Sequence, residues 1–316
     1  MKIELVTPAP AEVHTGNRTT ADRWARLLRE LGNEVGVRRE WSGAACDLLI
    51  ALHARRSFPS IERFREAHPR TPLILALTGT DVYGELEKDE EAKRALEFAT
   101  RIVVLQELAV AALPESARGK TRVIYQSAKP PATSPPREAQ CFQVCVLAHL
   151  RSIKDPLRAA YAVRDLPASS RILVKHAGAV LDPDFGRQVE EEQRTNPRYR
   201  WLGPLTHDEA VDLLARSHVL ALTSQLEGGA NVVSEAITVR TPIISSRIPG
   251  SVGILGKDYT GYFPVGDSAA LREQFERAEC DDDFYRDLEQ RVAALHSLVS
   301  AARERETWQA LLRELS

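Results

Sequence analysis

Short continuous apolar runs alternate with amphipathic stretches along most of this chain, the pattern of parallel strands covered by helices on both faces. Residues 3–6, 47–52, 73–77, 102–105 and 122–125 read as strands. Between the first two, Trp24, Leu27, Leu28 and Leu31 repeat at helical spacing, and Gly32 stops the helix. Four prolines between Lys129 and Arg137 then forbid helix and sheet, so this stretch reads as a linker. The pattern restarts with strands at 142–147, 171–175, 199–202, 219–222 and 243–245. Near the C-terminus Leu288, Val292, Leu295, Val299 and Ala302 form one helical stripe, and Trp308, Leu311, Leu312 and Leu315 form another. The expectation is an α/β protein of two doubly wound, Rossmann-like domains with a cleft between them. Residues 1–130 form the first domain, 131–140 the linker, 141–290 the second domain and 291–316 a helical tail.

A length of 316 residues agrees with two cores. A net charge of −2 supports neither nucleic-acid nor membrane-surface binding. Four cysteines are too few for a disulfide framework, and Cys141 and Cys145 read as buried thiols in a strand. The chain opens on a strand, without a signal-peptide apolar region, and no apolar run approaches the roughly 20 residues that span a bilayer. A reduced, cytoplasmic protein is expected. No metal-ligand spacing appears, and no cofactor is expected. Oligomeric state is unreadable.

Ligands of open α/β sheets sit beyond the carboxyl ends of the strands. In the second half those positions hold His149, Arg151, Lys154, Lys175 and the stretch Glu227-Gly228-Gly229-Ala230-Asn231-Val232, with Glu235 following in a helix. Backbone N–H groups at a helix N-terminus suit a phosphate, cations suit a diphosphate, and carboxylates accept hydrogen bonds from sugar hydroxyls. Each element has a blander alternative: a solvated charge, a turn, a solvent-facing helical glutamate. Their conjunction points to a sugar nucleotide.

Glu227 and Glu235 with seven residues between them, preceded by Leu222-Thr223-Ser224 and followed by Ala236-Ile237 and Thr241-Pro242-Ile243-Ile244-Ser245-Ser246, resemble the donor domain of retaining GT-B glycosyltransferases of the family 4 type. The resemblance implies that Glu235 binds ribose hydroxyls, Glu227 faces the transferred sugar, Gly228 to Val232 lie near the phosphates and Lys154 binds the diphosphate. The family's usual arginine five residues before that lysine is replaced by His149. Arg151 is the alternative source of the charge.

In the first half, Gly16, Asn17 and Arg18 fall at the start of the helix carrying Trp24, with Thr19 or Thr20 as its cap. His53, Arg55 and Arg56 follow the strand at 47–52, and Thr80 and Asp81 follow that at 73–77. So many cations suit a small anion. The alternatives are surface pairing of Arg55 and Arg56 with carboxylates and a satisfied core position for His53. Taken whole, the chain resembles the selenosugar synthases of selenoneine biosynthesis. The most specific pieces are Gly16 to Trp24, Leu52 to Ser57, Ala76 to Asp81, Val103 to Gln106 and Val123 to Ser127. That resemblance implies transfer of a sugar, typically N-acetylglucosamine, from a UDP-sugar substrate onto the selenium of selenophosphate. Lys154, Arg151, Glu227 and His53 are then the expected catalytic group. Lys175, Gly228, Gly229, Ala230, Asn231, Val232 and Glu235 serve the donor, and Gly16, Asn17, Arg18, Arg55, Arg56, Thr80 and Asp81 the acceptor. An ordinary hydroxyl acceptor is the alternative.

Overall fold

The computed structural model describes residues 1–9, 16–79, 81–86, 88–131 and 135–315. The first half runs β1 (Lys2–Val6), α1 (Gly16–Glu30), β2 (Glu34–Arg38), β3 (Leu48–Leu52), α2 (Phe58–Ala67), β4 (Leu73–Leu77), α3 (Glu90–Phe98), β5 (Arg101–Val104), α4 (Leu108–Ala111), α5 (Glu115–Arg118) and β6 (Thr121–Val123). The second runs β7 (Phe142–Leu147), α6 (Arg158–Ala162), β8 (Ile172–Ala177), α7 (Pro183–Thr195), β9 (Tyr199–Trp201), α8 (His207–Arg216), β10 (Val219–Leu222), α9 (Asn231–Val239), β11 (Ile243–Ser246), α10 (Pro249–Leu255), β12 (Tyr262–Phe263), α11 (Ser268–Cys280), α12 (Asp282–Ala294) and α13 (Ala301–Arg313).

Two compact units result. Unit 1 comprises Met1–Ser127, Glu227–Asn231 and Ser300–Ser316, and unit 2 comprises Ala128–Leu226 and Val232–Val299.

Unit 1 holds a six-stranded parallel sheet in the order β2-β1-β3-β4-β5-β6. Its central strands are apolar on consecutive residues because both faces are covered. Leu48, Ile50 and Leu52 of β3 pack with Trp24 and Leu28 of α1 and with Trp308 and Leu311 of α13. Leu49 and Ala51 pack on the other face with Phe58, Ile61 and Phe64 of α2. Trp24 and Trp308 meet edge to face, ring centroids 4.9 Å apart. Such a pair adds about 0.5–1.5 kcal/mol beyond the burial of its area. Gly32, at φ +85°, ends the turn after α1, where a left-handed residue is required.

Unit 2 repeats the plan with the order β12-β11-β10-β7-β8-β9, again parallel throughout. In each sheet the chain reverses its direction of advance once. The reversal falls between β1 and β3 in unit 1 and between β7 and β10 in unit 2. A crevice at the carboxyl ends of such a strand pair is where ligands of open α/β sheets bind.

The differences from the sequence expectations have local causes. β2 went unforeseen because it is a short edge strand of alternating polar residues, and β12 because it is two residues long. Thr19 and Thr20 do not cap α1. The helix already starts at Gly16, and the buried Thr20 hydroxyl accepts instead from Gln126 Nε2 at 2.8 Å. The stripe from Leu288 to Ala302 is not one helix. α12 stops at Ala294, Ser300 caps α13 through the Arg303 N–H, and Ala302 is exposed. All four cysteines are free thiols, with Cys145 buried and Cys141 half-buried.

Candidate functional site

In unit 2, the loops leaving β7, β8, β10 and β11 are stitched into one rim. The Leu150 N–H donates to Ala179 O at 2.9 Å, and the Leu150 carbonyl accepts from the Leu181 and Asp182 N–H groups. Gly178 makes this close approach possible, since a Cβ there would lie 1.9 Å from Ala148 O. On the other side, the Thr223 hydroxyl lies 3.0 Å from both Lys154 O and Asp155 O, and the Gln225 N–H reaches Ile153 O at 2.9 Å. The Ser246 hydroxyl donates to Ser224 O at 2.6 Å. The switch-point loop carrying Arg151 and Lys154 is therefore held by its neighbours on both sides.

Within that loop Lys154 closes a short 3-10 turn and is half-buried, while Arg151 is extended and exposed. Asp155 follows at φ +43° and pairs with Arg158 at 2.8 Å. His149 has a packing task of its own: its Nδ1 accepts the Ala179 N–H at 3.1 Å, tying the β8 loop to the β7 loop. An arginine has no acceptor nitrogen and cannot make that bond.

Lys175 departs from its expected place. β8 continues to Ala177, so Lys175 lies inside the strand, in register with Cys145 and Arg200, rather than in the loop beyond it. Its neighbour His176 is fully buried, with Nδ1 2.7 Å from the Tyr199 hydroxyl and Nε2 2.8 Å from Ala148 O. Burial pushes its pKa down to about 4, and the nearby His149 adds to the effect.

Glu235 lies in the second turn of α9 with its side chain only 15% exposed, so it is not the solvent-facing helical glutamate of the blander alternative. Its Oε1 is 3.8 Å from Nδ1 of His207, the first residue of α8. Val232, in the first turn of α9, is half-buried. The buried Cys145 thiol is pushed up to about 12, chiefly by burial, with Glu235 raising it and Lys175 lowering it to lesser extents.

Unit 1 includes the segment Glu227–Asn231. Gly228 and Gly229 are needed there for close packing. A Cβ on Gly228 would lie 3.0 Å from the Gly79 backbone, and one on Gly229 would lie 2.6 Å from Leu105 Cβ. Gly228, Gly229 and Ala230 are all buried, and Glu227 is half-buried. Asn231 uses both ends of its amide in unit 1. Oδ1 accepts from Arg23 Nη1 at 2.9 Å, and Nδ2 donates to Gly16 O at 3.3 Å. Arg23 in turn reaches Glu304 of α13 through Nε at 3.3 Å. Glu304 is 1% exposed and also accepts from Trp24 Nε1 at 2.7 Å and from the Ser127 N–H and hydroxyl.

The other first-half candidates gather at the same carboxyl edge. Asn17 Oδ1 accepts from the Thr78 hydroxyl at 2.8 Å, and Arg18 pairs with Asp22 one turn along α1 at 2.8 Å. His53 is buried at φ +73°, its Nδ1 3.4 Å from the Arg56 amide. Arg55 pairs with Asp89 at 3.1 Å, the surface pairing considered as its alternative, and Arg56 is exposed. Asp81 is 0% exposed and accepts N–H groups from Ala54, Gly79 and Val82, so it fixes the loops after β3 and β4. Thr80 lies outside the described residues.

Sequence reasoning assigned no role to Arg23, Gln106, Thr223 or His207. Gln106, fully buried, donates to the Tyr83 hydroxyl at 2.5 Å and approaches Gly228 O at 3.4 Å. The available signals were weak: a buried glutamine ending an apolar run, and a histidine beside the Thr206-x-x-Glu209 capping box.

Among the described residues no cluster of His, Cys, Asp and Glu could hold a metal ion, and no helix is long and apolar enough to cross a membrane.

Known proteins place this architecture. Residues 140–294 match the family described as Glycosyl transferases group 1. A curated relative, glycosyltransferase 1 domain-containing protein 1 of Xenopus tropicalis, is 22% identical over 286 residues, covering 82% of this chain and 83% of the relative. Among solved structures, Anabaena HepE in complex with UDP and glucose superposes with a TM-score of 0.78 at 16% identity, covering 99% of this chain and 100% of HepE. Sucrose-phosphate synthase from Thermosynechococcus elongatus gives 0.78 at 15% identity, covering 99% and 98%. The chain therefore has the GT-B fold, and its residues 140–294 are similar to the glycosyl transferases group 1 family.

Proposed function

We propose that this protein is a UDP-sugar-dependent glycosyltransferase whose acceptor is a small selenium-bearing anion, selenophosphate, and whose product is a 1-seleno-sugar for selenoneine biosynthesis. The observation that carries the transferase reading is the stitched rim of unit 2, which holds Lys154 at the topological switch point of a domain similar to the group 1 family. The neighbour HepE, crystallised with UDP and glucose, supports a UDP-sugar donor. The acceptor rests on the family resemblance and on Arg18, Arg55 and Arg56 at the strand ends of unit 1.

Lys154 and Arg151 balance the charge that grows on UDP as it leaves, so their contacts strengthen in the transition state. Glu235 accepts ribose hydroxyls and Glu227 orients the sugar, taken to be N-acetylglucosamine. The anomeric carbon–oxygen bond to UDP breaks and a carbon–selenium bond forms. Water then cleaves the phosphorus–selenium bond and phosphate is released. Anionic selenium needs no base to deprotonate it. That fits His53 and Asp81, which are buried and hold backbone groups.

A second reading, an ordinary glycosyltransferase with a hydroxyl acceptor, is favoured by one observation: Arg18 and Arg55 already pair with Asp22 and Asp89, which reduces the positive charge offered to an anion. Mass spectrometry of reactions with UDP-N-acetylglucosamine and selenophosphate, thiophosphate, phosphate or no acceptor separates the two. Seleno-sugar formed only with selenophosphate supports the first reading. UDP release of equal rate in all four arms rejects it.

A further inference from the structure

After β4, at the carboxyl edge of the unit 1 sheet, the chain makes a single π-helical turn, Asp81–Glu85, closed by the Leu86 N–H on Asp81 O at 3.1 Å. Turns of this kind are rare and recur at functional sites. This one carries Tyr83, which is half-buried.

The bonds around Gln106 fix where the Tyr83 proton goes. One end of the buried Gln106 amide lies 2.7 Å from the Leu108 nitrogen and 3.3 Å from the Ala109 nitrogen. Both of those backbone groups can only donate, so this end of the amide is its oxygen. The other end is then the NH₂ group, which donates to the Tyr83 hydroxyl at 2.5 Å and reaches toward Gly228 O at 3.4 Å. The phenol oxygen is therefore an acceptor in this pair, and its own O–H points away from Gln106. Among the described residues nothing accepts that proton. Burial pushes the Tyr83 pKa up, offset in part by the bond from Gln106, so the phenol keeps its proton at neutral pH.

A second donor is unspent at the same edge. Asn17 Oδ1 takes the Thr78 hydroxyl at 2.8 Å, and Asn17 Nδ2 has no acceptor among the described residues. The partners of both donors meet at one piece of backbone: a Cβ on Gly228 would lie 3.0 Å from Thr78 C and from Gly79 N, and Gly228 O is the other partner of Gln106. Fixed neutral donors of this kind hold an oxyanion without a compensating cation, which matters here because Arg18 and Arg55 are engaged by Asp22 and Asp89.

We infer that Tyr83 binds the acceptor, donating its O–H to an anionic oxygen of the phosphoryl group, and that Gln106 is the positioning residue that turns the proton toward it. The identity of the acceptor rests on the transferase reading; the direction of the phenol proton does not. A phenol donating to a charged oxygen makes a charge-assisted bond, stronger than one between neutral groups.

The test is Tyr83→Phe in the full chain. Gln106 keeps Gly228 O as a partner there, so the variant folds, and its thermal midpoint checks this. Wild type and variant are assayed with UDP-N-acetylglucosamine and selenophosphate, and both are titrated by calorimetry with UDP and with inorganic phosphate. The variant is expected to raise the acceptor KM and the phosphate Kd about tenfold to a hundredfold, with UDP affinity and the donor KM unchanged. An unchanged acceptor KM, an unchanged phosphate Kd, no saturable phosphate binding to wild type, or a parallel loss of UDP and phosphate affinity, as a merely structural tyrosine would give, each overturns the inference. Wild type that releases no UDP with any acceptor rejects the transferase reading instead, and the phosphate titration then decides Tyr83 by itself.

Discussion

The guanidinium of Arg23 donates to the amide oxygen of Asn231 at 2.9 Å across 208 positions of sequence. The same guanidinium meets the buried carboxylate of Glu304. One side chain thereby holds Asn231, the first residue of α9, and Glu235 follows one turn later in the same helix. A lysine has one ammonium and cannot serve both acceptors with a fixed fork. Arg23→Lys and Asn231→Ala are therefore expected to be non-additive, with a coupling energy of about 1 kcal/mol or more in a double-mutant cycle. Additive urea midpoints would show that the contact is energetically idle.

Glu304 is the larger liability. Removing it strands the partly desolvated Arg23 and leaves Trp24 Nε1 and the Ser127 amide without their acceptor. Glu304→Ala is expected to cost about 3–5 kcal/mol, as for other broken buried pairs. Glu304→Gln, which keeps an acceptor oxygen, should cost clearly less. Denaturant unfolding of both variants checks the order.

Gly178→Ala is expected to abolish soluble folding, because the added carbon would lie 1.9 Å from a backbone oxygen that no rotamer change can move. Gly36→Ala provides the contrast. Nothing lies within 4 Å of a Cβ there, so its thermal midpoint should stay at or slightly above that of wild type. A well-folded Gly178→Ala protein would mean that the β7 and β8 loops are not clamped together.

His176 gives stability a pH dependence of known sign. Its pKa is about 4 in the folded protein and 6.5 in the unfolded chain, which therefore takes up the proton first as pH falls. The neutral ring's contribution is full above pH 6.5 and is lost progressively down to pH 4, to a total of roughly 3 kcal/mol. His218, lowered mainly by burial and further by Arg137 and Arg171, adds a smaller slope of the same sign. Unfolding free energies at pH 7.5 and 4.5 should differ strongly in wild type and much less in His176→Gln. An unchanged slope in that variant would reassign the effect.

Lys154→Ala should lower kcat/KM for the UDP-sugar by about ten- to a hundredfold, the worth of one charge-assisted contact made in the transition state. Arg55→Ala/Arg56→Ala should instead raise the acceptor KM and leave UDP affinity unaltered. Weakened UDP binding in that pair would move both arginines to the donor site.

The strands of the two central sheets were legible because burial on both faces leaves an unbroken apolar run, as in residues 48–52 and 73–77. Edge strands β2 and β12 have a neighbour on one side only, so little apolar sequence marks them. Lys175 was misplaced because a charged residue was taken as the end of a strand that continues two residues further. The glycines at 228 and 229 were recognised as special, but their packing against Gly79 and Leu105 is a long-range contact with no local signature. The same holds for Asn231, whose partners lie more than two hundred positions away.

The indole of Trp308 has a consequence for how the chain is made. Residues 1–127 leave the ribosome about 170 residues before α13, and until then the β3 face beside α1 is uncovered. At usual rates of synthesis that interval lasts about 10–35 s, far longer than collapse of a domain this size. The nascent N-terminal half therefore waits with the apolar seam beside Trp24 and Leu28 open while the later half is translated.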